Sequence, residues 1–231
     1  MPIMEKALAI IPAYNEEESI EKTIEELKCV APSFDFVVIN DGSSDCTKEL
    51  CLENGYPLID LPVNGGLSSA FQTGMKYALR RDYDYAVQFD ADGQHMPEFL
   101  SEMVSLMNRD GADIVIGSRF VERSKLWSPR MMGSRLISFI IKLTTGKTIN
   151  DPTSGLRLFN RTMIERFAKD NTLNPEPESI AYLIRKGAKV VELQVEMRER
   201  EAGESYLSLS KSIAYMVRAC TSILFVQWFR G

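Results

Sequence analysis

The segment Asp90-Ala91-Asp92-Gly93-Gln94 carries the plainest chemistry in this chain. Two carboxylates one residue apart at a strand end can share one hard divalent cation. Such ions prefer oxygen ligands and often complete their shell with phosphate and water. Gln94 adds a neutral oxygen within reach. The same residues also read as a helix N-cap with an acidic turn.

Three further polar segments have the same placement. Asp41, in Asn40-Asp41-Gly42-Ser43-Ser44-Asp45, follows an apolar run. It can hold a ribose or base edge, as acidic residues do at other nucleotide sites, or simply cap a turn. In Pro12-Ala13-Tyr14-Asn15-Glu16, Tyr14 can pack on a base and Glu16 can bond it, although a capping box looks similar. Asn64-Gly65-Gly66-Leu67-Ser68-Ser69-Ala70 reads as a phosphate or sugar loop before a helix N-terminus, or as an ordinary tight turn. It is neither G-x-G-x-x-G nor a P-loop.

These segments need elements to position them. Apolar runs at Ala7 to Ile11, Phe36 to Asn40, Leu58 to Leu61, Tyr85 to Phe89 and Asp113 to Ile116 read as strands. Helices are expected from an Asn15 cap through Cys29, after Asp45, over Leu67 to Arg80 and over Pro97 to Arg109. Strand, turn and helix repeated in this way imply an α/β fold, a parallel sheet with helices on both faces. Ligands of such sheets sit beyond the carboxyl ends of the strands, which is where every polar segment falls. The second half is less regular. It reads as a basic loop, a helix near Ser134 to Leu143, a turn at Asp151-Pro152, another helix, a strand near Lys189 to Val195, and a final amphipathic helix.

The 231 residues suit one large domain with a short appendage, and 45 % hydrophobic residues give it a sizeable core. A net charge of −5 argues against nucleic acid as a partner. The charge is uneven, however. Gly117 to Lys147 holds seven basic residues against Glu122 alone, and Ser205 to Gly231 holds three and no acid. Each stretch is either a solvated positive face or a site for an anionic partner. Cys29, Cys46, Cys51 and Cys220 fit no zinc spacing and read as reduced thiols of a cytosolic protein. No signal peptide is evident. The apolar run Ala219 to Phe229 is shorter than the about 20 residues a bilayer span needs.

Taken together, AIIPAYNEEESI, VVINDGSSDCT, NGGLSSAFQTGMKYA, QFDADGQH and IVIGSRF resemble the nucleotide-binding half of family 2 glycosyltransferases in order and placement. The resemblance implies the GT-A fold, a Rossmann-like, mostly parallel sheet with helices on both faces. It implies a nucleotide pocket made by Pro12, Tyr14, Glu16 and Asp41, with Asp90 and Ala91 beside it. It also implies Mg²⁺ or Mn²⁺ held through Asp90, Asp92 and Gln94, with Asp92 essential to catalysis.

Within that family the second half is similar to polyprenyl-phosphate sugar transferases, the group of dolichol-phosphate mannose synthase. Gly117-Ser118-Arg119, the R-x-x-x-S element at Arg130 to Ser134, and Asp151-Pro152-Thr153-Ser154-Gly155-Leu156-Arg157 match their pattern. Arg200 with Gly203-Glu204-Ser205 resembles their R-x-x-G-x-S-K, with Tyr206 standing where a lysine is usual. By this resemblance Arg119, Arg130 and Ser134 grip the acceptor phosphate and Arg200 the donor diphosphate. Asp151 either orients the acceptor or caps a helix. A phosphomonoester is largely dianionic at neutral pH, so it needs orientation more than a base, and arginine suits it.

The expected organisation is a catalytic domain over 1–205 and an amphipathic C-terminal helix over 206–231. That helix, with a stripe at Leu209, Ile213, Met216, Val217, Cys220 and Leu224, lies in a membrane interface or packs on its own domain or a partner. The REREAGESYLSLSKS tail resembles bacterial undecaprenyl-phosphate sugar transferases of cell-wall polysaccharide synthesis. This implies UDP-GlcNAc as the nucleotide-sugar donor, undecaprenyl phosphate as acceptor and a small membrane-protein subunit as partner. The expected location is cytoplasmic, peripheral on the inner face of the cell membrane.

Competing readings are transfer to a sugar hydroxyl, which would need an Asp or Glu base, and a non-catalytic subunit that binds nucleotide sugar. The basic loop Arg119 to Arg135 favours phosphate over the hydroxyl. A nucleotidyltransferase is weaker, because its glycine-rich, lysine-containing N-terminal loop is absent. His95, the only histidine, reads as a supporting residue and not a ligand.

Overall fold

The structure is a computed structural model that describes residues 5–122, 129–198 and 209–225, with the backbone alone for 129–130 and 209–215. Seven strands form one sheet in the order β3-β2-β1-β4-β6-β5-β7. They are β1 (Ala7–Ala13), β2 (Phe34–Asn40), β3 (Leu58–Asp60), β4 (Tyr85–Gln88), β5 (Ile114–Ser118), β6 (Arg157–Asn160) and β7 (Val190–Gln194). All pairings are parallel except those of β6 with β4 and β5. The chain runs outward from β1 to β3 and then returns to the other side of β1 for β4. The reversal makes the ends of β1 and β4 a switch point, where an open sheet offers a crevice for ligands.

Alternation along β1 explains the two core layers. Leu8 and Ile10 face one side, and Ala7, Ala9 and Ile11 the other. The first side is covered by α3 (Leu67–Arg80), α5 (Pro129–Thr145), α6 (Arg161–Lys169), α7 (Pro177–Arg185) and α8 (Leu209–Leu224). The second is covered by α1 (Ile20–Val30), α2 (Thr47–Glu53) and α4 (Leu100–Asp110). In α1 the buried Ile20, Ile24 and Leu27 recur at helical spacing, each contributing about 1.5–3 kcal/mol by burial. Pro12 lies within a central strand without breaking it. Ile10 accepts from Phe89 N–H at 2.9 Å and ends the ladder with β4, so Pro12, facing the same side, lacks no ladder bond.

Several elements differ from the sequence reading, among them the single helix expected between the Asp151-Pro152 turn and the strand near Lys189, which is two, α6 and α7. Asn15 does not cap α1. It sits at φ 54°, and the helix starts five residues later at Ile20. Its backbone N–H donates to Ser43 Oγ (3.0 Å), and its side-chain oxygen accepts Ser44 N–H (2.8 Å). Glu17 likewise accepts Cys46 N–H at 2.8 Å. The polar run after β1 is spent stitching two strand-end loops together, which a capping pattern cannot reveal. Another difference is β6, four residues in mid-sheet between the Asp151-Pro152 turn and α6, which the sequence reading passed over. Also, α5 is a turn longer at its start than expected, and a short 3₁₀ turn (Pro97–Phe99) precedes α4.

On α8, Ala219, Cys220 and Ile223 are buried in the core beside α5 and α7. Contact with α5 is close enough that a Cβ on Gly133 would overlap Met216. One face of the C-terminal helix is thus packed on its own domain. All four cysteines are free thiols. Burial pushes the Cys51 thiol up to about 11, so it is inert at neutral pH.

Candidate active site

A cleft of about 520 Å³ opens at the carboxyl ends of β1, β2 and β4. Pro12, Tyr14 and Glu16 line it from the end of β1, and Asp41 from the end of β2. Asp90, Ala91 and Asp92 line it from the end of β4. The strand ends therefore bring the candidate nucleotide residues and the candidate metal carboxylates into one cavity.

Asp41 is almost wholly buried. Its two oxygens accept the N–H groups of Gly65 and Gly66, each at 2.8 Å. The carboxylate thereby fixes the Asn64-Gly65-Gly66 loop, and Gly66, at φ 79°, turns the chain into α3. Asn64, Gly66 and Leu67 join the cleft lining as a result.

The carboxylate pair is held from behind. Asp90 is about one-third exposed and Asp92 only 9 %. Gln88 Nε2 donates to Asp90 Oδ1 at 3.0 Å. His95 is buried, and its Nδ1 accepts the Asp90 N–H at 2.9 Å. The other ring nitrogen lies 3.6 Å from Asp90 Oδ2. His95 therefore stands behind the strand end and is not part of the cleft lining. Asp92 Oδ1 accepts the Gln94 N–H at 3.1 Å. The Gln94 amide nitrogen donates to Arg198 O at 3.4 Å, and Gln94, unlike Asp90 and Asp92, is not among the residues that line the cleft.

The residue types fit a cation. Glu16, Asp41, Asp90, Asp92 and Glu176 line the cleft, and no described lining residue is Lys or Arg. A diphosphate entering such a place needs a positive ion between itself and the carboxylates. Among the described residues no three His, Cys, Asp or Glu side chains form a closed metal cage. Two carboxylates with the rest of the shell from phosphate and water is how Mg²⁺-type sites are built.

A second polar centre lies beyond β5. Arg119 Nε donates to Asp151 Oδ2 at 2.7 Å and Nη2 to Oδ1 at 2.9 Å. Asp151 is fully buried, and Glu192 props it by accepting its N–H at 2.8 Å. Asp151 does not cap a helix, since β6 is the next element. Ser134 is buried on α5. The Arg130 side chain and all of Arg200 lie outside the described residues, and the described stretch before Arg200 ends at Arg198. Arg198 N–H donates to Gln94 O at 3.0 Å, and its guanidinium makes two bonds of 2.7 and 2.6 Å to Glu26.

Sequence reasoning missed Glu176, Gln88 and Glu192. Glu176 stands at the N-cap of α7 before Pro177, a pattern that signals a helix start and nothing more. Gln88 looks like an ordinary strand residue, and Glu192 like an exposed one. None carries a local signal of its partner.

A family model described as Glycosyl transferase family 2 matches residues 8–167. The polyprenol monophosphomannose synthase of Mycolicibacterium smegmatis is 31 % identical over 218 residues, covering 88 % of this chain and 82 % of that protein. The UDP-N-acetylglucosamine–dolichyl-phosphate N-acetylglucosaminyltransferase of Methanococcus voltae is 31 % identical over 177 residues, covering 68 % of this chain and 70 % of that one. Among solved structures, glucosyl-3-phosphoglycerate synthase from Mycobacterium tuberculosis, in complex with Mn²⁺, UDP and phosphoglyceric acid, superposes with a TM-score of 0.68. It is 17 % identical, covering 94 % of this chain and 78 % of that one, a likeness of fold.

Proposed function

The chain belongs to glycosyl transferase family 2, and we propose that it moves a sugar from a nucleotide-diphosphate donor to a polyprenyl phosphate, with inversion at the anomeric carbon. It is a glycosyltransferase with the GT-A fold. The observation that carries the reading is the meeting of Tyr14, Glu16, Asp41, Asp90 and Asp92 in one cleft at the β1/β4 switch point.

In this reading Pro12, Tyr14, Glu16 and Asp41 hold the nucleoside, with Ala91 beside them. Asp90, Asp92 and Gln94 hold Mg²⁺ or Mn²⁺. The related fold that carries both Mn²⁺ and UDP supports the pairing of metal and nucleotide. Such an ion, when bound, neutralises the diphosphate as negative charge builds on it. Arg200 holds the donor diphosphate. Arg119 takes the acceptor phosphate, and we keep Arg130 and Ser134, one helical turn apart on α5, at the same group. Asp151 fixes the guanidinium plane of Arg119 and so orients the acceptor. The acceptor oxygen is already an anion near neutral pH and needs no protein base.

Undecaprenyl phosphate as acceptor and UDP-GlcNAc as donor, for cell-wall polysaccharide synthesis, are the finer form of the proposal. The two relatives above are both named for lipid-phosphate acceptors and differ in the sugar, which supports the acceptor class more than the donor.

Contact with the membrane is supported by α5. Met132, Leu136, Phe139 and Leu143 recur at helical spacing, and each is about half or more exposed. Val217 and Phe225 of the α8 segment are exposed as well. No acidic residue occurs between Glu122 and Asp151, so the surface combines apolar and positive character, as interfacial helices do. Among the described residues no helix is long and apolar enough to cross a membrane. The proposed location is cytoplasmic, peripheral on the inner face of the cell membrane, with a small membrane-protein subunit as partner.

One observation favours a second reading. Glu176 lines the same cleft as Asp90 and Asp92, and a carboxylate there is the kind of group that transfer to a sugar hydroxyl would need as its base. A transfer assay separates the two. Purified protein with Mn²⁺ or Mg²⁺ is given labelled UDP- and GDP-sugars and undecaprenyl phosphate in vesicles, with and without native membranes. A labelled, acid-labile lipid is the expected product, and GlcNAc is the expected sugar. Product formed only with native membranes identifies a required membrane subunit. Transfer to a soluble glycan and none to lipid would overturn the acceptor assignment.

A further inference from the structure

We propose that Gln88 is a positioning residue for the Asp90 carboxylate, and that Gly155 is its counterpart on the opposite side. The inference rests on the reading of Asp90 as a cation ligand and adds the device that aims it.

Gln88 ends β4 and is 1 % exposed. Its amide Nε2 donates to Asp90 Oδ1 at 3.0 Å, while its Oε1 is buried with no hydrogen-bond partner among the described residues. A buried amide with an unpaired oxygen is costly, and native proteins rarely keep one without a reason. Turning the amide over would not relieve it, because the oxygen would then face a carboxylate. The arrangement makes sense if the donor toward Asp90 is what the position supplies.

Gly155 closes the other side. A Cβ built there would lie 2.8 Å from Asp90 Oδ2, 3.4 Å from Gln88 Nε2 and 3.5 Å from His95 Cε1. The glycine thus leaves room for the carboxylate but for no further atom. Its loop cannot easily retreat. Arg157, opposite Gln88 in the β4–β6 register, donates from Nε to Ser154 O and from Nη2 to Pro152 O, each at 2.8 Å. Ser154 Oγ donates to Gly117 O at 2.6 Å. One oxygen of Asp90 is therefore held by a hydrogen bond and the other by a close wall, and the carboxylate keeps one orientation toward the cleft. Outer partners of this kind typically change metal affinity by about 10–100-fold when removed.

The test is Mn²⁺ binding by the full chain, read from the free-ion electron paramagnetic resonance signal with UDP or GDP present. Gln88→Met keeps the length and removes the donor, and Gly155→Ala adds the one atom in contact with Asp90 Oδ2. The glycine is not in the left-handed region, so alanine meets no backbone penalty there. Each variant is expected to weaken Mn²⁺ binding about tenfold. The metal-free melting temperature of Gln88→Met should not fall, because the substitution also removes the unpaired oxygen. A purely structural role would give the reverse, a lower melting temperature with unchanged affinity. If the wild type binds Mn²⁺, Asp90→Asn does not, and both variants bind as wild type does, the positioning role is wrong and the metal reading stands. If the wild type and Asp90→Asn bind alike, the metal reading fails and takes this inference with it. Should Gln88→Met not fold, Gly155→Ala decides alone.

Discussion

Arg119 and Asp151 form a two-bonded ion pair, Nε to Oδ2 at 2.7 Å and Nη2 to Oδ1 at 2.9 Å, in which the acid is fully buried and the base about a quarter exposed. The geometry fixes the plane of a guanidinium whose outer edge reaches solvent. A side chain held in this way can meet a phosphate without first being ordered.

Replacing Asp151 with Asn keeps the shape and removes the charge. The expected result is a loss of about 1–3 kcal/mol in stability, with an acceptor KM raised by about tenfold or more and a donor KM nearly unchanged. Urea unfolding and steady-state kinetics with each substrate varied in turn would check both parts.

Asp92→Asn is expected to abolish transfer while the far-ultraviolet circular dichroism stays that of the wild type, because it removes cation-binding charge from a strand end without disturbing the core. Chelation with EDTA should have the same effect on the wild type, and added Mn²⁺ or Mg²⁺ should reverse it. Unchanged activity in the variant would remove Asp92 from the metal site.

Arg130→Ala should weaken use of the lipid phosphate more than donor binding. A donor KM that rises as much as the acceptor KM would contradict its assignment to the acceptor.

The bonds from Arg198 hold the Glu26 carboxyl below the ordinary glutamate range. A depressed folded-state pKa means that the pair's stabilisation is complete above the unfolded value, about 4.3, and is lost as pH falls through the lower folded value. The wild type should therefore lose stability more steeply below about pH 4.3 than Glu26→Gln does. At neutral pH the variant should raise the donor KM, because Arg198, two residues before Arg200, loses both of its guanidinium bonds to the Glu26 carboxylate. Melting curves across pH and a donor KM measured at pH 7 test the two statements.

Leu136→Ser with Phe139→Ser should reduce co-sedimentation with phosphatidylglycerol vesicles by several-fold. Both side chains are exposed on α5, and each loses about 1 kcal/mol or more of burial in the interface. The melting temperature should hardly move. Equal sedimentation of variant and wild type would take α5 off the membrane.

Much of this was legible before folding. Leu67 to Arg80 is a helix in the structure as in the sequence, and Asp41, Asp90 and Tyr14 all follow strands as the apolar runs implied. Hydrophobic period and turn residues are local signals, and repeated strand–helix units restrict the sheet to very few arrangements. Local patterns also misled. The acids after Asn15 look like a helix start, yet Asn15 and Glu17 bond to residues near 45 in the neighbouring loop.

Periodicity and turn chemistry are written within a few neighbouring residues, and they already specify a strand–helix protein whose polar segments end its strands. Which of those segments meet depends on the folded chain. It placed Arg119 on an acid 32 residues away and Glu26 on an arginine 172 residues away. It also inserted β6 antiparallel in mid-sheet, which sets Gly155 against Asp90. Such pairs are fixed by strand order and register, and no short window of sequence contains both partners.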